Sequence, residues 1–295
     1  MLKCNLCGSS DILDVDEAHS IGRCRDCGYV FSYKRPSRNE IAEYYSHPGR
    51  YDDWHGKEWD GLWKKRLSIA RRYKSSGYLL DVGTGTGQFL QSARQYFQVT
   101  GTEISERAIA IAKQKYGLDI VKGEIQDLHF ERRFDLVTLF HVLEHVHDPS
   151  ATILRCRSLL SHNGVLLLAV PNDVSGLQPL IFRALSFLKI VGKFRKRGKM
   201  GLPKLTLDGS LSEIHLSHFT VLTLRRFLER SGFEVVAETL DPFYAVKGLV
   251  RVIHDIVFYS CLLVRKLIGI NIYFTILMVA KPCEDAICYE ASQML

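Results

Sequence analysis

Eight cysteines are present, and four of them stand in a pattern that can do chemistry. Cys4 and Cys7, followed by Gly8, and Cys24 and Cys27, followed by Gly28, are two Cys-x-x-Cys-Gly knuckles separated by sixteen residues. Four thiolates from two such turns close a tetrahedral zinc site with no position left for water, so the site is structural. The glycine after each second cysteine relieves the turn and lets backbone amides point at sulfur. Residues 1–33 are too few to fold on an apolar core alone, and the metal supplies the missing stability. Cys156, Cys261, Cys283 and Cys288 form no ligand pattern. A second set mixes imidazole and carboxylate: His141, Glu144 and His145. Histidine accepts a proton near neutral pH, and His141 and His145, four apart, share a face if a helical turn begins there. His145 is the first candidate base, with Glu144 as its orienting partner; the same run could equally serve to shape a loop. A third set, His215 and His218, is a His-x-x-His without further obvious ligands, which favours substrate contact or capping over metal binding.

These groups need elements to position them. The apolar run Tyr78-Leu79-Leu80 ends in Asp81, then Gly83, Gly85 and Gly87 alternate with other residues, and an apolar helical pattern follows at Phe89, Leu90 and Ala93. That is a strand, a tight turn and a helix start, the place where an open α/β sheet binds an adenosine-bearing cofactor. A dinucleotide fingerprint, G-x-G-x-x-G, would need its third glycine at position 88, which is Gln88. Asp81 would repel a pyrophosphate but favours a cation. S-adenosylmethionine has no phosphate and carries a sulfonium and an ammonium, so it fits. A second strand, Gln98–Glu103, also ends in an acid, placed to accept both ribose hydroxyls. Third and fourth strand ends follow at Val121–Leu128 and Phe134–Val146.

In this order the motifs resemble the class I S-adenosylmethionine-dependent methyltransferases, in the branch that includes ubiquinone and sugar methyltransferases; the resemblance covers roughly residues 76–282. It implies that the Asp81–Gly87 loop holds the methionine end and that Glu103, with Ile104, binds the ribose. Glu124 and Ile125 would flank the adenine, and Phe140 and His141 would line the floor near the sulfonium. The bland reading of Glu124 is a solvated turn acid. The segment before the first strand often closes over the cofactor in such enzymes, which makes Tyr44, Tyr45 and Tyr51 lid candidates and Tyr51 a substrate contact. The turn carrying His215 and His218 would lie near the acceptor pocket.

The expected organisation is a zinc ribbon at 1–33, a helical linker or cap at 34–75, and a methyltransferase domain at 76–295. Its fold class is α/β, a Rossmann-like doubly wound, mostly parallel seven-stranded sheet with an antiparallel last strand. Strands are predicted near 78–82, 98–103, 119–122, 134–140, 164–170, 233–240 and 273–281. Helices are predicted at 39–46, 57–74 and 221–231, the last capped by Thr220. Two insertions interrupt the plan. Residues 174–207 carry eight basic and no acidic residues beside an apolar stripe. Residues 242–269 have an apolar face wider than one core contact needs. Contact of 177–204 and 242–269 with an anionic membrane surface follows as an expectation, with RNA contact or a plain substrate lid as alternatives for the first.

The chain opens Met1-Leu2-Lys3-Cys4 without an apolar leader, and no window reaches about 18 consecutive apolar residues. The expected location is therefore cytoplasmic, possibly peripheral at the inner membrane face. Net charge is +7, compatible with nucleic acid. The fourth strand ends Phe140-His141-Val142-Leu143, not the Asn/Asp-Pro-Pro-aromatic turn that holds an exocyclic base amine, and nucleic acid is the less favoured partner. The reading is a methyltransferase acting on oxygen or carbon of a small-molecule acceptor, a sugar or lipid-linked glycan intermediate. A zinc-ribbon ribosomal RNA methyltransferase is the alternative, and a quinone or lipid O-methyltransferase the second.

Overall fold

The structure is a computed structural model and describes residues 2–51, 56, 59–177, 179, 181, 198, 200–209, 211, 213–242 and 248–283. Seven strands build the main sheet: β4 (Gly77–Val82), β5 (Phe97–Glu103), β6 (Ile120–Lys122), β7 (Phe134–Phe140), β8 (Leu160–Pro171), β10 (Phe233–Thr239) and β11 (Thr275–Pro282). Their spatial order is β10-β11-β8-β7-β4-β5-β6. All neighbours are parallel except β11, which runs antiparallel to both β8 and β10. The central strands are buried on both faces, and Leu79, Leu80, Leu136, Val137, Leu139 and Leu166–Val170 form the core. Continuous apolar runs of this kind are what parallel strands covered by helices require.

Helices α1 (Arg38–Ser46) and α2 (Asp60–Arg71) precede the sheet, and α3 (Gln88–Ala93), α4 (Glu106–Tyr116), α5 (Pro149–Leu159) and α6 (Val221–Arg230) connect its strands. Their ends follow capping chemistry. Ser37 and Glu40 form a capping box on α1, Asp148 accepts from Ser150 and Ala151 ahead of α5, and Thr220 caps α6 as predicted. The helix expected over 57–74 is shorter, Asp60–Arg71.

The ribbon is not a separate unit. β1 (Ile12–Asp16), β2 (Ile21–Cys24) and β3 (Val30–Ser32) form an antiparallel sheet whose fourth strand, β9, is Ser217–His218. Tyr29 donates to Ser217 Oγ at 2.5 Å, and Tyr29, Phe31 and three of the knuckle cysteines share one apolar core with Leu139, Leu143 and Phe219. The expected boundary after residue 33 thus marks a change of chain path, not a gap in packing.

Of the two insertions, residues 182–197 lie outside the described residues, together with 178, 180, 199 and 243–247. The second contains α7 (Gly248–Ile268), which buries only Phe258 and Cys261. Leu249, Ile253, Ile256, Leu263 and Leu267 on it are more than half exposed. Among the described residues, no helix is long and apolar enough to cross a membrane.

Candidate active site

Strand order reverses at the β4/β7 pair, so the carboxyl ends of both strands open into one crevice, the usual ligand position in such sheets. The turn after β4 supplies Gly83, Thr84, Gly85 and Thr86 to the wall, and β7 ends on Phe140 beside them. A Cβ on Gly85 would meet nothing nearer than Tyr51 Cε1 at 3.9 Å, so the backbone there is open to a ligand. Gly87 plays another part. A Cβ there would stand 2.8 Å from Leu118 Cδ1, with φ at 80°, so this glycine admits close packing of α3 against the end of α4 and does not line the crevice.

Asp81 also stands behind the wall. It is buried and accepts from Thr138 Oγ1 at 2.6 Å. Burial pushes its carboxyl up to about 6, against the pull of the Thr138 hydrogen bond and the Arg66 charge. Glu103 does reach the crevice. Its Oε2 accepts from Gly85 N at 2.8 Å, and its Oε1 from Ile104 N at 2.8 Å and Ser105 N at 3.0 Å. Burial raises this carboxyl too, and the three backbone donors hold it in one orientation. A carboxylate oxygen takes about two donors, so Oε2 keeps room for one more. Ile104, Glu124 and Ile125 line the adjoining wall. Glu124 is not a free turn acid, because Arg38 Nε donates to it at 2.6 Å.

The opposite wall is a chain of buried charges that composition and spacing did not reveal. Arg66, on the inner face of α2, is 1% exposed and grips Asp241 through Nε and Nη2. His141 Nε2 lies 3.1 Å from the same carboxylate, and its Nδ1 lies 3.2 Å from Glu144 Oε1. Burial pulls the His141 imidazole down, but Asp241 and Glu144 outweigh it, so its affinity for a proton is raised. Asp241, despite its burial, is held well below the usual carboxylate range by Arg66 and His141. An arginine on the apolar stripe Leu62, Arg66, Ile69, Ala70 is the one signal that could have announced this pair.

His145 faces the crevice in a different state. Its Nδ1 is 2.7 Å from the Ile214 carbonyl oxygen and 3.0 Å from Tyr45 Oη. A carbonyl only accepts, so Nδ1 carries the hydrogen and Nε2 is bare. Burial lowers the affinity of this ring for a second proton. Tyr45, Tyr51, Arg50 and Glu213 complete this side, while Tyr44 packs beneath with its hydroxyl on the Leu211 carbonyl. The histidines of the third set do not line the crevice. His215 Nδ1 lies 2.7 Å and His218 Nδ1 3.1 Å from Asp173 Oδ2, an acid just past β8. His218 is buried in the sheet shared with the ribbon, which corrects its placement in an acceptor pocket. His215 sits behind His145, with ring centroids 5.0 Å apart.

In the ribbon, Cys4 Sγ lies 3.6 Å from Cys27 Sγ and Cys7 Sγ 3.5 Å from Cys24 Sγ, all four sulfurs being within 4.8 Å of one another. Zinc–sulfur bonds of about 2.3 Å at tetrahedral angles put sulfurs about 3.8 Å apart, so the donor set fits that metal.

A glycine turn at the switch point, an acid closing the next strand and a crevice at the strand ends define an α/β enzyme built around an adenosine-bearing cofactor. The chain belongs to the family described as "Methyltransferase domain", whose profile matches residues 56–238, more than half of it. It is an S-adenosylmethionine-dependent methyltransferase. An uncharacterized protein of Methanocaldococcus jannaschii is 26% identical over 219 residues, covering 70% of this chain and 82% of that one. The ubiquinone biosynthesis O-methyltransferase of Haemophilus ducreyi is 36% identical over 106 residues, or 32% of this chain and 45% of the relative. The chain thus spans less than half the length of that enzyme. Among solved structures, the DhpI–SAH complex superposes with a TM-score of 0.52 at 17% identity, covering 83% of this chain and 96% of the other. The PH0226 protein of Pyrococcus horikoshii gives 0.52 at 18% identity, covering 81% and 98%. At these identities the structures establish the shared fold.

Proposed function

We propose that this enzyme methylates a hydroxyl of a small-molecule acceptor, a sugar or a lipid-linked glycan intermediate. The observation that carries the reading is the bare Nε2 of His145 on the crevice wall, its tautomer set by the Ile214 carbonyl. A hydroxyl must lose its proton to become a good nucleophile, and a neutral imidazole is suited to take it at neutral pH. S-adenosylmethionine, when bound, supplies an electrophilic methyl group on sulfonium. Glu103 Oε2 has the free lone pair to accept a ribose hydroxyl, the Gly83–Thr86 turn fits the methionine end, and Ile125 offers an apolar surface to the adenine. The Asp81 charge beneath that turn favours the cationic cofactor over its neutral product. His141, held between two carboxylates, serves to fix the loop and not to take a proton. Glu213, raised by burial but pulled down to about 2 by His215 and His145, is an anionic acceptor for further substrate hydroxyls, and Tyr51, whose phenol burial keeps protonated, is a neutral polar contact beside it. Zinc in the four-thiolate site holds the ribbon, whose role is structural.

The exposed apolar face of α7 supports an acceptor presented at an anionic membrane surface by a protein residing in the cytoplasm. A quinol acceptor is the second reading, supported by the stretch similar to ubiquinone biosynthesis O-methyltransferases. The test is transfer of labelled methyl from S-adenosylmethionine to nucleotide sugars, lipid-linked sugars, quinols and total RNA, beside flotation with anionic liposomes. Label in the sugar fractions with loss of transfer in His145→Gln is the expected result. Label confined to quinols promotes the second reading, and label in RNA overturns both.

A further inference from the structure

Two loops meet at the crevice wall, and the bond between them sets the state of His145. One leaves the end of β7 and carries His145. The other precedes β9 and carries Ile214, whose carbonyl oxygen lies 2.7 Å from His145 Nδ1. A functional geometry of this kind persists only where neighbouring groups hold it to within about 0.5 Å. Part of that support is backbone, as Leu216 N and Ser217 N donate to the Glu144 carbonyl at 2.7 and 3.1 Å. The rest comes from outside both loops. Arg35, three residues past β3 of the ribbon sheet, donates from Nη1 to the His147 carbonyl at 2.6 Å and from Nη2 to the Leu216 carbonyl at 3.3 Å. Each acceptor stands two residues past a partner of the spanning bond: His147 past His145, and Leu216 past Ile214. Nε reaches the Ser32 carbonyl at 3.0 Å and Nη2 the Tyr29 hydroxyl at 3.3 Å, which ties the same guanidinium to the ribbon. Tyr29 in turn donates to Ser217 Oγ at 2.5 Å. Hydrogen bonds from a charged donor are roughly twice as strong as neutral ones, and the planar fork of arginine fixes the direction of both acceptors.

We propose that Arg35 is a positioning residue for methyl transfer: it clamps the His145 loop to the Ile214 segment and so keeps the hydrogen of His145 on Nδ1. The catalytic consequence rests on the reading of His145 as base, whereas the clamp itself does not. Without Arg35, the bonds to the Glu144 carbonyl fix one edge of the contact, and the carbonyls of His147 and Leu216 lose their common donor. Once Nδ1 and the Ile214 oxygen are about 3.6 Å apart they are no longer bonded, and the ring carries its hydrogen on either nitrogen. Tyr45 Oη, 3.0 Å from Nδ1, is no independent anchor, because it accepts from Ile214 N at 3.3 Å and belongs to the same contact.

The experiment is nitrogen-15 NMR of the full, zinc-loaded chain labelled at histidine and saturated with S-adenosylhomocysteine at neutral pH. The His145 ring is assigned as the one absent from His145→Gln. In the wild type its Nδ1 should be protonated and its Nε2 should resonate as a bare imine nitrogen. Arg35→Gln should replace that pattern by shifts averaged over two tautomers, while zinc content and S-adenosylhomocysteine binding stay as in the wild type. Arg35→Lys keeps the charge but not the fork and should move the same two signals part of the way; it carries the test alone if Arg35→Gln does not fold. A His145 ring unchanged in both variants overturns the proposal even if urea unfolding finds them less stable, since a purely structural arginine would lower stability and leave the tautomer as it was. Failure of the base reading looks different: His145→Gln would keep transferring labelled methyl while the Arg35 variants still altered the ring.

Discussion

Replacing Asp81 by asparagine should stabilise this protein at neutral pH and impair it as an enzyme. The carboxyl is raised from 3.8 to about 6 by burial, which corresponds to ~3 kcal/mol at 1.36 kcal/mol per pH unit. The native state therefore holds its proton where the unfolded chain has released it. Stability falls as pH rises from the unfolded value through the folded one, because the native state binds more protons in that window. Asparagine keeps an oxygen to accept from Thr138 Oγ1, now at 2.6 Å from Asp81, and carries no charge at any pH. Relative to wild type, Asp81→Asn should thus gain ~3 kcal/mol in total, about half of it between pH 5 and pH 8. Urea unfolding at several pH values above 5 measures this directly. Calorimetry supplies the functional half: the variant should lose more affinity for S-adenosylmethionine than for S-adenosylhomocysteine, which lacks the sulfonium charge. A stability difference that stays flat from pH 5 to pH 8 would refute the burial argument. Equal losses for the two ligands would refute the electrostatic role.

Two further perturbations probe the remaining structure. Arg66→Met leaves Asp241 charged and fully buried, and should cost on the order of 3–5 kcal/mol in urea unfolding; Arg66→Met with Asp241→Leu should recover much of that, and a single-variant loss under about 1 kcal/mol would contradict the pairing. Cys7→Ser should release the ribbon zinc and raise hydrogen exchange at Leu216–Phe219, since β3 pairs with β9 across Phe31 and Ser217; a folded, metal-free wild type would contradict the zinc assignment.

What could be read from the sequence follows from what is local in the chain. The parallel strands are apolar runs because both of their faces are covered, and Asp81, Gly83 and Glu103 stand where strand, turn and acid must follow one another. Thr220 announces α6 because a cap is a property of four consecutive residues. The pairs that complete the site are not local. Asp241 meets Arg66 across 175 positions, and Asp173 meets His215 across 42. β9 is two residues long, too short for any periodicity, and pairs with a strand of the ribbon. Asp81 and Gly87 show the opposite failure: residue type and spacing placed them in a cofactor loop, but side-chain direction puts the one under it and packing against Leu118 claims the other.

The division of labour between apolar and polar groups explains why these non-local pairs matter. Sheet strands are fixed by continuous apolar contact, which tolerates modest change. The loops beyond β7 and β8 add charge pairs to their apolar anchors Leu143, Ile214 and Leu216: Arg66 to Asp241, Asp241 to His141, His141 to Glu144, and Asp173 to His215. Between the last two pairs the link is backbone, as Leu216 N and Ser217 N both donate to the Glu144 carbonyl at 2.7 and 3.1 Å. Ser217 in turn belongs to the ribbon sheet and bonds Tyr29. Arg66, Asp241 and Glu144 are buried, and loss of a partner there strands an uncompensated charge, whereas Asp173 and His215 are partly exposed. Tyr29, and Arg35, whose guanidinium reaches the carbonyls of His147 and Leu216, thus tie the ribbon sheet to the two loops that carry Glu144 and Ile214 without entering the crevice.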